Sequence, residues 1–272
     1  MKIDGPLLLV GCGKMGGALL EGWLSEGVAA QKVTVVEPFE TPFLNQLRAR
    51  GVSVVDSAAG LPEEYTPAVV ILAVKPQMMD GTIADYRRCS RPGTVFLSIA
   101  AGKTIAFFEA ALGERAAVVR AMPNTPAAVN RGMTVLCANA AASPAQKEIC
   151  GALLSSVGET DWVEDEGLLD AVTAVSGGGP AYVFLLIECL AQAGIDAGLP
   201  KDLAERLARV TVSGAGELVH QANEDPAQLR KNVTSPAGTT LEALTVLMAE
   251  DGLQPLMTRA IAAATRRSRE LS

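Results

Sequence analysis

The chain has 272 residues, enough for one large domain or two of modest size. Hydrophobic residues make up 49% and charged residues 19%, a balance typical of a folded globular chain rather than a disordered one. The net charge is −7, and the one dense cationic stretch, at 266–269, lies at the C-terminal end. An acidic chain without a basic cluster is a poor candidate for binding nucleic acid or an anionic membrane.

Cysteine usage and hydropathy narrow the class further. The cysteines are odd in number and none has C-x-x-C spacing, which argues against a disulfide framework and against a zinc site. We therefore expect no metal and a cytoplasmic location. We expect no signal peptide before the first strand. Since the apolar runs are shorter than a membrane span requires, we also expect no transmembrane helix.

The first half of the chain alternates short apolar runs with amphipathic stretches. The predicted strands are Leu7–Val10, Val33–Val36, Val52–Val55, Val69–Val74, Val95–Ile99, Val118–Ala121 and Val135–Ala138. Helices are predicted after the first strand, around Phe43–Leu47, over Ile105–Leu112 and from Ser143 onward. This alternation predicts an α/β fold with a mostly parallel sheet and helices on both faces.

The pattern changes near Trp162, after which almost no β-type runs occur. The predicted helices are Val183–Ala197, Leu203–Val219, Thr239–Ala249 and Pro255–Arg269. We therefore expect a dinucleotide-binding Rossmann domain at 1–164 and an all-helical domain at 165–272. The two long helices are apolar round most of their circumference, so we expect a partner subunit to cover them.

A glycine-rich turn follows the first predicted strand. Gly11, Gly13 and Gly16 form G-x-G-x-x-G between a buried strand and a helix, the arrangement that binds a dinucleotide pyrophosphate. The expected cofactor-binding residues of this turn are Gly11, Cys12, Gly13, Lys14, Met15 and Gly16. Glu37 ends the second strand, where an acid commonly binds the ribose hydroxyls of NAD and repels the 2′-phosphate of NADP. A ligand-free glycine turn and a solvated strand-end carboxylate are the alternatives.

Four further motifs carry specific signal. They are A-V-K-P-Q at 73–77, R-A-M-P-N-T-P at 120–126, S-G-G-G-P-A-Y at 176–182 and S-P-A-G-T-T at 235–240. The first two end predicted strands, and the last two are expected to open helices whose free N–H groups suit a carboxylate. Each alone is also compatible with an ordinary strand-end turn or helix cap. In this order, with the glycine turn, they closely resemble the pyrroline-5-carboxylate reductase family over nearly the whole chain.

The resemblance implies reduction of 1-pyrroline-5-carboxylate to L-proline, the last step of proline biosynthesis, with NADPH or NADH and without a metal. It also implies a C-terminal dimerisation domain, a homodimer and often a decamer. Thr240 is implied as the catalytic residue that contacts the ring nitrogen. The implied substrate-binding residues are Glu166, Ser176, Gly177, Ser235, Gly238, Thr239 and Thr240. The implied further cofactor-binding residues are Ala73, Val74, Lys75, Pro76, Met122, Pro123, Asn124 and Asn232.

Three departures from the family pattern matter. Gly178 replaces a serine and Ala237 replaces a glycine, both small-for-small changes that should preserve the loops. Many members favour NADPH and carry Ser, Thr or Asn where this chain has Glu37, so the cofactor preference stays open. Assembly beyond a dimer, activity on the six-membered imine and feedback by proline also stay open.

Two other functions compete with this one. A β-hydroxyacid dehydrogenase has the same two-domain plan, but it needs a catalytic lysine on the first long helix of the second domain. No lysine occurs between Ser176 and Leu199. A non-catalytic NAD-binding sensor is the alternative from another class, and a turnover assay distinguishes it. The lone histidine, His220, is expected to be structural or solvent-facing.

Overall fold

The computed structural model describes residues 3–271. Within them, the chain up to Gly177 and the segment from Thr265 onward form one compact unit, and Gly178–Ala264 forms another. The first contains the sheet and its covering helices, and the second is helical.

The first unit is built on an eight-stranded sheet in the order β3-β2-β1-β4-β5-β6-β7-β8. Neighbouring strands are parallel except β6 and β7, which are antiparallel. The strands are β1 Leu7–Val10, β2 Val33–Val36, β3 Ser53–Val55, β4 Val69–Leu72, β5 Val95–Ser98, β6 Ala117–Met122, β7 Gly132–Ala138 and β8 Gly158–Trp162.

Helices cover both faces of this sheet. They are α1 Lys14–Ser25, α2 Pro42–Ala49, α3 Pro76–Thr82, α4 Ile105–Leu112, α5 Pro144–Ser155 and α6 Leu168–Val172. Alternate residues of β1 enter different cores: Leu7 and Leu9 pack on one face, Leu8 and Val10 on the other. Burial on both faces is why the strand is wholly apolar. The predicted α/β fold with a Rossmann-like sheet is therefore confirmed.

Some elements differ from the sequence-based prediction. β4 ends at Leu72 rather than Val74, so A-V-K-P lies in the loop beyond the strand. β8, with the sequence G-E-T-D-W, was not predicted: it is an edge strand, largely exposed, and has no apolar run to reveal it. The short helices α3 and α6 were also not predicted. By contrast, α5 begins with the predicted Ser143 cap, which forms a capping box with Gln146.

The second unit is helical, as predicted. Its helices are α7 Gly179–Asp196, α8 Lys201–Gln221, α9 Pro226–Asn232, α10 Thr239–Leu247 and α11 Leu253–Glu270, the last of which runs on into the first unit. A Cβ on Gly194 of α7 would lie 3.3 Å from the Ala204 Cβ of α8, so the missing side chain lets these helices pack closely. Few apolar side chains are covered within this unit: Phe184 is 60% exposed and Val210 62%.

One segment is longer and more apolar than expected. Leu168–Asp196 forms a helical stretch of 29 residues with a mean hydropathy of 1.5, which by length and composition alone is enough to cross a membrane. The expectation that no run reaches a membrane span is thus wrong on this criterion, because α6, a π-helical turn and α7 join end to end. Such helices also occur in soluble proteins, so this criterion identifies an apolar helix but does not show whether lipid or protein covers it.

Candidate active site

The glycine turn after β1 has the geometry of a pyrophosphate cradle. Gly11 has φ +90°, and a Cβ there would lie 2.9 Å from the Ala73 carbonyl. A Cβ on Gly16 would collide with the Gly11 carbonyl oxygen, so its absence lets α1 pack on the turn. A Cβ on Gly13 would meet nothing within 4 Å. Gly13 is also the N-cap of α1 and has no side-chain cap, so the first N–H groups of the helix face open space.

The carboxylate of Glu37 is held against this turn. Its Oε2 accepts a hydrogen bond from the Cys12 N–H at 2.8 Å, and its Oε1 accepts from the Phe39 N–H at 3.2 Å. These bonds fix the end of β2 beside the glycine turn. A negative charge therefore lies at the position where sequence reasoning placed the adenosine ribose.

A cavity of about 380 Å³ opens beside Glu37 in the first unit. It is lined by Val10, Gly11, Gly13, Val36, Glu37, Pro38, Phe39, Asp56, Ser57, Ala58, Ala73, Val74, Lys75, Met78, Thr82, Asp85 and Tyr86. Three carboxylates and one ammonium group are present in this lining, and none of its residues is an arginine. The sequence analysis did not assign Phe39 or Asp56; the signal available for Phe39 was a large apolar residue two positions after the strand-end acid.

The thiol of Cys12 is held neutral in this turn. Burial, followed by the nearby carboxylates of Glu37 and Glu21, raises the pKa of Cys12 to about 12. The thiolate is the reactive form of cysteine, so Cys12 packs in the turn and is not a nucleophile at neutral pH.

The A-V-K-P motif backs the glycine turn. The Ala73 N–H donates to the Val10 carbonyl at 2.8 Å, which continues the β1–β4 pairing beyond the strand. Lys75 is exposed and is the N-cap of α3, and Pro76 is the first residue of that helix. Ala73, Val74 and Lys75 thus share one cavity with Gly11 and Gly13, as the predicted cofactor contacts require.

The Glu166 carboxylate is hydrogen-bonded to other residues of the first unit. Its Oε1 accepts from Arg120 Nη1 at 2.8 Å and from the Ile105 N–H at 2.8 Å. The Arg120 side chain is only 6% exposed and the Glu166 side chain 27%, so a buried cation and a partly exposed carboxylate join β6 to the start of α4. Arg120 is a partner that sequence reasoning did not assign, although it opens the R-A-M-P-N-T-P motif.

Ser176 and Gly177 do not lie at a free helix N-terminus. They belong to a π-helical turn, Thr173–Gly177, that joins α6 to α7, and α7 itself begins at Gly179. Their N–H groups are therefore not the exposed first-turn groups that the sequence suggested. Asn124, beyond β6, contacts Ser176 through its side-chain amide, and Pro123 between Met122 and Asn124 is buried.

The second unit contains the predicted carboxylate-binding motif. Gly238 is the N-cap of α10, and Thr239 and Thr240 are its first two residues, both exposed. A Cβ on Gly238 would collide with Ser235 Oγ, so glycine lets the loop fold tightly without moving that side chain. The Gly238 N–H donates to the Ser235 carbonyl at 3.1 Å and is therefore not one of the free N–H groups that the sequence suggested. Asn232, at the end of α9, is exposed; it donates to Glu224 and accepts from Gln228.

No set of three potential metal ligands is found among residues 3–271. The parallel sheet, the glycine cradle and the strand-end acid together define a dinucleotide-binding oxidoreductase of the Rossmann class. In agreement, residues 7–102 match the family described as NADP oxidoreductase, coenzyme F420-dependent. Residues 166–271 match the family described as pyrroline-5-carboxylate reductase dimerisation. The chain belongs to the pyrroline-5-carboxylate reductase family.

Individual relatives span the full length. The pyrroline-5-carboxylate reductase of Pseudomonas aeruginosa is 40% identical over 98% of this chain and 96% of its own length. That of a Synechocystis species is 40% identical over 97% of each. The solved structure from Coxiella burnetii has a TM-score of 0.91 at 32% identity and covers 99% of each chain. The Plasmodium falciparum enzyme, solved with NADP bound, has a TM-score of 0.81 at 27% identity over 98% of each chain.

Proposed function

We propose that the chain catalyses the reduction of 1-pyrroline-5-carboxylate to L-proline by NADH or NADPH, as the last step of proline biosynthesis in the cytoplasm. The observation that carries this proposal is the start of α10, where a hydroxyl and unpaired first-turn N–H groups occur together on an exposed surface. A cyclic imine with a carboxylate needs both kinds of group.

The reaction adds a hydride to the imine carbon and a proton to the ring nitrogen. The C=N double bond becomes a C–N single bond, with a new C–H and a new N–H bond. The nicotinamide ring supplies the hydride when it is bound. The residues present fit that cofactor, since Gly13 leaves space for the pyrophosphate and Lys14, Met15 and Gly16 supply first-turn N–H groups.

We propose that Thr240 relays the proton that the ring nitrogen receives. A hydroxyl both donates and accepts, so it serves the ring nitrogen before and after protonation and passes a proton from water. The N–H groups of Thr239 and Thr240 hold the carboxylate with the partial positive charge of the helix start. The Gly238 N–H donates to the Ser235 carbonyl and closes the loop instead. Ser235 shapes this loop against Gly238, and Asn232 is proposed to contact the cofactor, as the family resemblance implies.

We further propose that NADH is the preferred cofactor. Glu37 is fixed by two N–H donors, so its charge cannot swing away when a ligand enters. Asp56 and Asp85 line the same cavity, and Lys75 is its only cation among the lining residues. A 2′-phosphate would enter a region of like charge, whereas ribose hydroxyls would donate to Glu37.

A second copy of this chain is the proposed partner for α7 and α8. Phe184, Leu185 and Val210 are each more than half exposed, and α7 carries Glu188, an acid poorly suited to a lipid-facing surface. The match of residues 166–271 to a dimerisation family supports a homodimer over a membrane span. Analytical ultracentrifugation at micromolar concentration tests this: a stable monomer would contradict it, and the same run shows whether dimers join into decamers.

The decisive experiment for the reaction is a steady-state assay of the purified protein with pyrroline-5-carboxylate, using NADH and NADPH side by side. We expect turnover with the five-membered imine and a higher kcat/KM with NADH. A 3-hydroxy acid with NAD is the matched control, since α7 carries no lysine for dehydrogenase chemistry. Turnover only of the hydroxy acid would overturn the proposal, and turnover of neither would favour a sensor.

A further inference from the structure

Three alternate residues at the end of β6 contact one segment of the first unit, Glu166–Gly177. Arg120 donates to Glu166, and Asn124 donates to Ser176. Between them, Met122 packs so closely that a Cβ on Gly177 would lie 2.6 Å from Met122 Cε. Because the backbone stays extended through Asn124, these alternate side chains leave the same face. The strand end and the π-helical turn are therefore one packed feature.

The orientation of the Asn124 amide is fixed by its partners. The Met133 N–H can only donate, and it lies 2.9 Å from Asn124 Oδ1. The amide nitrogen must then face Ser176, and it does so at 3.3 Å from the Ser176 carbonyl and 3.2 Å from Ser176 Oγ. A backbone carbonyl can only accept, so Nδ2 is the donor there, and the Ser176 hydroxyl oxygen accepts from the same nitrogen.

This arrangement sets the polarity of the Ser176 hydroxyl. A hydroxyl that accepts from an amide directs its own proton away from that amide. Within residues 3–271 no group accepts the proton of Ser176, and the side chain is half-buried rather than freely solvated. The turn that carries it is π-helical, a conformation that is rare in proteins and frequent at functional sites.

We propose that Asn124 is a positioning residue that turns the Ser176 hydroxyl into a hydrogen-bond donor for a carbonyl-type oxygen of the bound ligands. That oxygen belongs either to the carboxylate of the imino acid or to the carboxamide of the nicotinamide. The inference rests on the proposed function, because it assigns a role within the same site. Asn124 itself acts through Ser176: its amide nitrogen donates to Ser176, and its Oδ1 accepts from the Met133 N–H.

Ser176→Ala, Asn124→Asp and the double variant test this inference. The carboxylate introduced by Asn124→Asp would accept from the serine and thereby take the proton that Ser176 now directs outward. We expect each single variant to weaken one ligand by roughly 10- to 100-fold. The double variant should be no weaker than Ser176→Ala, because both changes remove the same bond. An increase in the KM of the imino acid identifies the carboxylate, and an increase in the Kd of NADH identifies the carboxamide.

Thr173→Val is the matched control from the same turn, since the Thr173 hydroxyl donates to the Leu169 carbonyl at 2.7 Å and not outward. It should leave both constants unchanged. If Asn124→Asp fails to fold, as melting would show, Ser176→Ala and Ser176→Cys still test whether the Ser176 side chain donates to a ligand. The thiol is a weaker donor, so Ser176→Cys should give an intermediate loss of affinity. Unchanged constants for Ser176→Ala would overturn the inference. Absence of wild-type turnover would instead overturn the proposed function.

Discussion

Replacing Glu37 should reverse the cofactor preference. Glu37→Gln removes the negative charge while its side-chain oxygen can still accept from the Cys12 N–H, and Glu37→Ser removes the carboxylate altogether. In the wild-type chain the carboxylate is pinned by bonds of 2.8 and 3.2 Å, so a 2′-phosphate cannot displace it cheaply.

The magnitude follows from the charge and its surroundings. A unit charge about 5–6 Å from a phosphate, at an effective dielectric constant of roughly 20–40, is repelled by about 1.5–3 kcal/mol. Relief of that repulsion should improve NADPH by roughly 10- to 100-fold in kcat/KM. Loss of the ribose hydrogen bonds should weaken NADH as well, by about 1.5–3 kcal/mol in Glu37→Ser, because they end on a charged acceptor. Glu37→Gln should lose less kcat/KM with NADH than Glu37→Ser does, and it should show most of the improvement with NADPH.

The assay is kcat/KM for each cofactor at saturating imine, repeated at low and high salt, since screening should diminish the NADPH gain. Glu40→Gln is the matched control: Glu40 follows three residues later, is exposed and pairs with Arg48 at 2.6 Å, and it does not line the cavity. The ratio of kcat/KM for NADH to kcat/KM for NADPH in Glu40→Gln should match that of the wild type. If both Glu37 variants also keep the wild-type ratio, the pinned carboxylate does not select the cofactor and the reasoning is refuted.

Four further variants test other parts of the structure. Thr240→Val should lower kcat by roughly 10²–10⁴-fold with an unchanged Kd for NADH, because general-acid catalysis by the hydroxyl is lost. A normal kcat with a lower melting temperature would show that Thr240 only stabilises the start of its helix. Ala237→Gly should raise the free energy of unfolding by about 0.5–1 kcal/mol, because Ala237 has φ +54° in the left-handed region. Asn130→Gly, at φ +56°, should gain less since asparagine tolerates that region, and equal gains would argue against strain at Ala237. Cys12→Ser removes a thiol whose pKa is raised from 9.0 to about 12. The contribution of this thiol to the free energy of unfolding is complete below pH 9 and declines as the pH rises. Between pH 8 and 10, wild type should lose about 1.4 kcal/mol more than Cys12→Ser in urea titrations, and parallel curves would contradict this.

The sequence by itself determined the class of fold and the chemistry of the cradle. Strands buried on both faces must be apolar throughout, so β1, β2, β4 and β5 appeared as short apolar runs near their observed positions. Gly11 and Gly16 were predictable because their backbone contacts leave no room for a Cβ, and such a constraint is written directly in the residue type. The helix start at Ser143 was predictable because its side-chain cap involves only residues of the first turn.

Only the tertiary structure decided what depends on neighbours distant in the chain. β8 exists because β7 offers it a pairing edge, and its own polar residues carry no strand signal. Glu166 was expected only as a substrate-binding residue, and its partners were not foreseen: its Oε1 accepts from Arg120 and the Ile105 N–H, 46 and 61 residues away. The Ser176 hydroxyl likewise finds its hydrogen-bond partner in Asn124, 52 residues earlier. Local propensity fixes an element where its constraint is local, whereas hydrogen-bond partners are chosen by the folding of the whole unit.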